Sequence, residues 1–104
     1  MKYRFHKAAA SEHLESVAFY ESRLAGLGAD YLAEFEAAMV RVCAAPASCP
    51  IDCPPDIHIA RLKRFPFNVL FRQRDDLIQI LAVAHQRRRP GYWLPRVLDV
   101  DSKE

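Results

Sequence analysis

Residues Leu77–Ala84 form a nearly continuous apolar run in which Gln79 is the one polar side chain. A run this short and this apolar is typical of a β-strand that is buried on both faces. Such a strand needs neighbours in a sheet and another layer packed against the sheet. Because the chain has 104 residues, it has room for one domain with one small core.

Three other segments have the two-residue period of β-strands. Ile57–Lys63 and Phe67–Arg72 place apolar side chains at alternate positions, and Lys2–His6 alternates polar with aromatic residues. Arg74-Asp75-Asp76 separates the second of these from the Leu77–Ala84 run and predicts a hairpin turn. The chain is therefore expected to form one strand near its N-terminus and three strands in its second half.

Two helices are predicted between the first strand and the others. One covers Ala8–Leu24 and the other covers Asp30–Ala44, and Gly26-Leu27-Gly28 allows a tight reversal between them. Helices joined this closely pack antiparallel as a hairpin. The spacing predicts inward faces made of Ala10, Leu14, Val17 and Leu24 in the first helix and Leu32, Phe35, Met39 and Val42 in the second. The outer face of the first helix is expected to carry Glu12, Glu15, Glu21 and Arg23.

The order of elements is β-α-α-β-β-β, which predicts an α+β fold with the helix hairpin on one face of a small, largely antiparallel sheet. The other face is expected to be partly exposed and basic. Ala45–Asp56 contains four prolines and is predicted to be a connecting loop. We expect one domain over residues 1–98 and a polar C-terminal tail over residues 99–104.

Composition narrows the class of protein further. Hydrophobic residues make up 51% of the chain and charged residues 27%, which is typical of a globular domain and not of a disordered chain. No apolar run approaches the about 20 residues that cross a bilayer, and the basic N-terminus lacks the apolar region of a secretory signal. The expectation is a soluble, cytoplasmic protein without membrane attachment.

Positive charge is concentrated in the second half of the domain. Residues 61–98 contain nine basic and two acidic residues, whereas residues 1–60 contain five basic and eight acidic ones. If the last three strands pair in sequence order, these cations converge at one edge of the sheet, where they would bind a phosphodiester backbone or an acidic protein segment. The candidate anion-binding residues are Arg61, Lys63, Arg64, Arg72, Arg87, Arg88 and Arg89, and Arg74 is expected beside them.

The three cysteines do not match a common metal motif. Cys43, Cys49 and Cys53, followed by His58, have ligand types that zinc accepts, but the spacing is atypical. Reduced thiols in a connecting loop are the simpler interpretation. Neither a metal nor an organic cofactor is predicted, and no glycine-rich phosphate loop or nucleophile elbow occurs in the sequence.

His85 is the best candidate for chemistry. It ends the apolar strand just before three consecutive arginines, so an imidazole that titrates near neutrality would lie beside groups that stabilise a phosphorane. Such a site would cleave RNA without a metal, with the 2′-hydroxyl as nucleophile. In the alternative, His85 only ends the strand, the arginines pair with a partner's acids, and Tyr92 and Trp93 pack as an apolar clasp. The residue types alone leave both interpretations open.

Several motifs in this order resemble the RelE/ParE superfamily of type II toxin–antitoxin toxins. They are Ala18-Phe19-Tyr20-Glu21, Gly26-Leu27-Gly28, Phe35-Glu36-Ala37-Ala38, Arg61-Leu62-Lys63-Arg64-Phe65-Pro66-Phe67, Leu81-Ala82-Val83-Ala84-His85 and Gln86-Arg87-Arg88-Arg89-Pro90-Gly91-Tyr92-Trp93. The closing motif is similar to the ParE-like branch in particular. The resemblance implies the same β-α-α-β-β-β fold and a cognate ParD-like antitoxin encoded nearby, with a homodimer or a hetero-oligomer as the assembly.

The two branches of the superfamily imply different targets. A ParE-like toxin would inhibit growth by binding DNA gyrase, with a role in plasmid stabilisation. A RelE-like toxin would cleave messenger RNA on the ribosome, and that alternative would assign catalysis to His85, Arg61, Arg64, Arg72 and Tyr92. Here Gln86 follows His85, so the adjacent His-Tyr pair used in part of the RelE-like branch is absent, which favours the ParE-like branch.

Overall fold

The computed structural model describes residues 1–98, and the expected tail over residues 99–104 lies outside the described residues. The elements follow the predicted order of a strand, two helices and then further strands. They are β1 (Lys2–Phe5), α1 (Lys7–Arg23), α2 (Leu27–Ala44), β2 (Ile51–Cys53), β3 (Ile57–Arg61), β4 (Phe67–Arg74) and β5 (Leu77–His85). Among the described residues, neither helix combines the length and apolarity that crossing a bilayer requires.

The strands form one mixed sheet in the order β1-β5-β4-β3-β2. β1 runs parallel to β5, and the other neighbouring pairs are antiparallel. The last three strands pair in sequence order, and the helix hairpin packs against one face of the sheet. The predicted α+β fold is confirmed.

One strand was not predicted. The proline-rich segment contains a short 3₁₀ turn, Pro46–Ser48, and then β2, which pairs with the outer side of β3. The expectation of a simple connecting loop is therefore wrong over Ile51–Cys53. The prolines lie on either side of β2 and outside it, so its backbone amides remain available for pairing.

β5 fulfils the expectation of a strand buried on both faces. Ile78–Ala84 are all buried, and the flanking strands are β1 and β4. Its pairing with β4 is regular except for a bulge, since Leu70 lies opposite Ala82 and Phe71 lies opposite Ile80. Leu81 is the extra residue, and the bulge turns its carbonyl to a side-chain partner described below.

The inward face of α1 differs from the predicted face. Its buried residues are Ala9, His13 and Ser16, whereas the side chain of Leu14 is 67% exposed. The helix is therefore rotated by about one residue from the face that the leucines suggested. Glu12, predicted on the outer face, lies against the sheet instead, and its side chain is only 14% exposed.

The second face of the sheet is also covered, contrary to expectation. A second core cluster includes Ile59, Leu70 and Leu81, and Trp93 from the C-terminal segment packs on it with 3% exposure. Tyr92 and Val97 pack around the same cluster. The C-terminal segment, residues 91–98, thus forms a third layer, which the sequence did not predict, and the apolar packing of Tyr92 and Trp93 is part of it.

Candidate functional site

The turns after β3 and after β5 meet at one end of the sheet. Phe67 begins β4 opposite His85, which ends β5, and Arg61 ends β3 opposite Asn68. The amide of Gln86 donates to the Pro66 carbonyl at 2.8 Å, which joins the two turns directly. We call the exposed cations of these turns the basic rim: Arg61, Lys63, Arg64, Arg87, Arg88 and Arg89.

Acidic residues of α2 hold one side of the basic rim in place. The Glu34 carboxylate accepts the backbone amides of Lys63 and Arg64, the latter at 3.0 Å. The Arg64 guanidinium lies 3.8 Å from the Asp30 carboxylate, with both side chains more than half exposed. An ion pair this exposed is weak, so the guanidinium is available to exchange Asp30 for a stronger anionic partner.

The other side of the basic rim is ordered by His85 and Tyr92. Nδ1 of His85 accepts the Arg87 amide at 3.0 Å, and the Arg88 amide donates to the His85 carbonyl at 3.0 Å. The Arg88 guanidinium stacks on the Tyr92 ring, 3.8 Å from its centroid. The side chains of Arg87, Arg88 and Arg89 are exposed on this ordered turn.

Hydrogen bonding determines what the His85 ring can do in this conformation. Because Nδ1 accepts the Arg87 amide, the proton of the neutral ring is on Nε2. The ring can therefore donate a hydrogen bond, but it cannot accept a proton at Nδ1 without losing its bond to Arg87. Its edge-to-face contact with Phe67, at 5.1 Å between centroids, fixes the ring further.

Arg72 and Arg74 do not join the basic rim. Arg72 lies five positions beyond Phe67 along β4, roughly 17 Å at the usual rise of a strand. It is buried at 2% exposure, and it donates to the Gln79 side chain and to the Val97 carbonyl. Arg74 lies farther still, beside Asp56 at 3.1 Å. The expected convergence therefore holds for the turns at this end of the sheet and not for Arg72 or Arg74, because β4 carries them to the opposite end.

Glu12 joins the C-terminal segment to α1 and β5. Its two oxygens accept Nη1 and Nη2 of Arg96 at 3.0 and 2.8 Å, and the Tyr92 hydroxyl donates to it at 2.7 Å. It also accepts the Val83 amide at 3.0 Å, and Arg96 donates to the Leu81 carbonyl at 3.0 Å. β1 ends at Phe5, opposite Ile80 of β5. The side chains of Glu12 and Arg96 therefore satisfy backbone groups of β5 that have no partner in β1, the Val83 amide and the Leu81 carbonyl.

The same contacts set the proton affinities of this cluster, which we call the Glu12 clasp (Glu12, Tyr92 and Arg96). Burial alone would raise the pKa of the Glu12 carboxyl, but the hydrogen bonds from Arg96, Tyr92 and Val83 outweigh it and lower the pKa. Burial and the bond to Glu12 raise the pKa of the Tyr92 hydroxyl. Tyr92 is therefore a neutral donor held by Glu12, and its hydroxyl is already engaged.

A cavity of about 330 Å³ lies between α1 and the end of β5, beside the basic rim. Phe19, Tyr20 and Phe67 provide its apolar lining, and His85 and Arg88 are at its polar side. Phe19 is half exposed at the mouth of the cavity. The cavity has the size and lining to receive one apolar side chain of a protein that contacts the rim.

The cysteines show no metal site within the described part of the chain. Residues 1–98 contain no group of three or more His, Cys, Asp or Glu side chains placed to hold a metal ion. Cys43, Cys49 and Cys53 are free thiols, and burial raises the pKa of the Cys49 thiol. His58 bonds through Nδ1 to the carbonyl of Cys49, at 2.9 Å, and stacks on Phe71.

A family model described as ParE toxin of type II toxin-antitoxin system, parDE, matches residues 3–90. The chain belongs to the ParE toxin family. No curated protein matches the sequence. The family match confirms the predicted resemblance and identifies the chain as a type II toxin, with an antitoxin as its partner.

No linear motif marks the Glu12 clasp of this ParE-family toxin. Glu12 and Arg96 are separated by 84 positions, and Arg96 and Tyr92 lie beyond the matched range. In the sequence, this cluster is indicated only weakly, by Glu12 on α1 and by Arg96, which follows the aromatic residues Tyr92 and Trp93. Only the packing of residues 91–98 across the sheet brings these groups together.

Proposed function

We propose that this toxin inhibits growth by binding DNA gyrase through the basic rim, and that a ParD-like antitoxin neutralises it. The proposal depends on one observation: the arginine side chains of the basic rim are exposed, and hydrogen bonds hold the backbone of the turns that carry them. Three consecutive exposed guanidinium groups, Arg87, Arg88 and Arg89, suit a surface that binds an acidic protein face or the DNA held by gyrase.

The groups that RNA cleavage would require are engaged elsewhere. Nδ1 of His85 accepts the Arg87 amide, the Tyr92 hydroxyl donates to Glu12, and Arg72 is buried under the C-terminal segment. These contacts favour inhibition by binding over the messenger RNA endonuclease alternative. The apolar cavity beside the rim supports the same conclusion, since it offers an anchor point for a protein.

The antitoxin is proposed to bind the same surface, the basic rim, together with the helix hairpin. An acidic segment would lie across the helix hairpin and the rim, replacing the weak Asp30 contact of Arg64 with stronger ion pairs. The assembly would be a toxin–antitoxin hetero-oligomer in the cytoplasm, where gyrase is found. Its formation should weaken with salt, because the rim contacts are exposed charges.

A DNA-topology assay tests the proposal. Purified toxin should block supercoiling of relaxed plasmid by gyrase, and Arg87→Glu or Arg89→Glu should raise the half-inhibitory concentration about tenfold or more, since each reverses an exposed rim charge. Lys7→Glu reverses an exposed charge at the start of α1 and serves as the control. Unchanged supercoiling, together with message cleavage in a translating extract, would overturn the proposal.

A further inference from the structure

Polar side chains cross the sheet in one row on the face that the C-terminal segment covers. Arg72 of β4 lies opposite Gln79 of β5, which in turn lies opposite Arg4 of β1. Nε of Arg72 donates to the Gln79 side chain at 3.1 Å, and Nη2 of Arg72 donates to the Val97 carbonyl at 2.9 Å. The bond to Val97 fixes the place where the chain leaves the C-terminal segment, which is the Arg72 end of this row.

A second row of cations lies beside the first, toward the β4–β5 turn. Arg74 and Lys2 both lie opposite Leu77, two positions from the first row along their strands. Side chains two positions apart share a face of a sheet, so these cations lie on the same face as the first row. They border a groove of about 800 Å³, which we call the second-face groove (Lys2, Arg4, Arg74 and Gln79).

Acidic residues offset the positive charge at one end of the second-face groove. Asp75 and Asp76 border it at the β4–β5 turn, and Arg74 lies 3.1 Å from Asp56. The end at β1 remains basic, because the sequence has no acidic residue before Glu12. An anionic group in this groove would therefore be held most strongly beside β1.

We propose that residues 99–104 of this chain bind in the second-face groove and exclude other polyanions from it. They follow the C-terminal segment directly and contain three acidic residues and one lysine. Asp99 and Asp101 alternate with Val100, so an extended chain would direct both carboxylates to the same side, toward the cations of the groove. The inference goes beyond the proposed function, since it involves neither gyrase nor an antitoxin.

The length and the attachment of this segment favour it as the occupant. Two strand spacings, roughly 10 Å, separate Arg72 on β4 from Arg4 on β1. Six extended residues span up to about 20 Å, so a chain that leaves Val97 beside Arg72 can cross the groove. Because the segment is tethered there, its effective concentration far exceeds that of a second copy or of a separate acidic protein.

A covered groove would restrict what the toxin binds. Guanidinium and ammonium groups spaced over a sheet face suit a phosphodiester backbone, and bound carboxylates would occupy the positions that phosphates take. The basic rim lies at the other end of β5, since Lys2 is opposite Leu77 and Phe67 is opposite His85. The toxin would thus present one cationic surface and keep the other covered.

Binding of single-stranded RNA tests the exclusion. A short fluorescein-labelled oligouridylate is titrated with the full chain at low salt and followed by fluorescence anisotropy. Asp99→Asn/Asp101→Asn should bind it at least about tenfold more tightly than the natural chain, because the competing carboxylates are lost. The basic rim is present in both proteins, so the difference reports on the groove. Adding Lys2→Gln/Arg4→Gln to this variant should remove most of the gain.

A matched control separates the groove from net charge. Glu36→Gln/Asp52→Asn also neutralises two exposed carboxylates, on α2 and β2, and should change the affinity by less than about twofold. An equal gain in this control, or no gain in Asp99→Asn/Asp101→Asn, would overturn the inference.

NMR of the arginine side chains tests the contact itself. The Nε proton of Arg4 should exchange with water at least about threefold more slowly in the natural chain than in Asp99→Asn/Asp101→Asn. That of Arg23, in the last turn of α1, should not change. Equal exchange at Arg4 would overturn the inference, and so would exchange that becomes faster on dilution, because a second copy would then supply the acids. The supercoiling assay measures inhibition of gyrase, so its failure would overturn only the gyrase proposal.

Discussion

His13 lies inside the aromatic cluster between α1, α2 and β1. Its ring centroid is 4.3 Å from that of Phe35 and 5.2 Å from that of Phe5. None of the described residues forms a hydrogen bond with its buried Nδ1. Burial lowers the pKa of His13, and the charge of Glu36 opposes that effect only in part. The folded state therefore favours the neutral ring.

This burial predicts a loss of stability in mild acid. The unfolded chain takes a proton on His13 near the ordinary pKa of 6.5, whereas the folded chain resists protonation until a lower pH. The contribution of the neutral ring is thus complete above that value and is lost as the pH falls toward the folded pKa. In urea unfolding between about pH 7.5 and 5.5, His13→Phe should lose less stability than the natural chain. Equal losses in the two chains would show that another group is responsible.

At the scale of elements, the helix hairpin depends on one close approach. An added Cβ at Gly28 would lie 2.8 Å from the Val17 carbonyl oxygen and 2.9 Å from Cβ of Glu21. The Glu21 carboxylate meanwhile accepts the amides of Gly26 and Gly28, which satisfies donors at the start of α2. The tight reversal thus needs both the space at Gly28 and the acceptor at Glu21.

Substitution of the two glycines should separate these effects. Gly28→Ala forces the backbones of α1 and α2 apart and should lower the free energy of unfolding by about 2–3 kcal/mol. Gly26 has a φ of 91° and open space around it, so Gly26→Ala should cost only the backbone strain, about 1 kcal/mol. Urea unfolding of both variants measures the difference. A larger cost at Gly26 would contradict the role assigned to close packing.

The strands β3, β4 and β5 and the extent of α1 could be predicted closely from the sequence, whereas the buried face of α1 could not. A period of two is strongly marked in β4, where Phe67, Val69 and Phe71 face the helices as expected. In α1 the polar residues His13 and Ser16 are buried instead. Stacking on Phe35 accommodates His13, and Ser16 bonds to the Glu12 carbonyl of its own helix at 2.9 Å. Hydrophobic spacing cannot detect polar residues that are satisfied in this way.

For the whole molecule, the sequence predicts that arginines gather at one end of the sheet. It does not predict that the C-terminal segment, residues 91–98, covers the second face of the sheet. Strand order brings Arg61 and His85 to the same end, and this follows from local periodicity. The burial of Arg72 depends on the Val97 carbonyl, which reaches it only after residues 91–98 cross the sheet. Such contacts are set by three-dimensional packing between segments far apart in the chain.

The Glu12 clasp should make that C-terminal layer unfold together with the rest of the domain. Trp93 is the only tryptophan and is 3% exposed, so its fluorescence reports on the layer alone, while far-ultraviolet circular dichroism reports on the helices and sheet. In the natural chain the two urea transitions should coincide, as in a two-state unfolding. Glu12→Gln leaves the Arg96 charge, only 16% exposed, without its counter-ion and should cost about 2–3 kcal/mol.

In that variant the Trp93 transition should move to lower urea than the circular dichroism transition, because the clasp is the main polar connection between the layer and α1. Glu15→Gln removes an exposed charge from the same helix and should stay within about 0.5 kcal/mol of the natural chain with coincident transitions. If Glu12→Gln behaves like this control, apolar packing of Trp93 alone holds the layer. If its transitions separate, the Arg88–Tyr92 stack should also loosen, since Tyr92 loses the carboxylate that holds its hydroxyl. Order in the basic rim would then depend on a carboxylate that the rim does not contain.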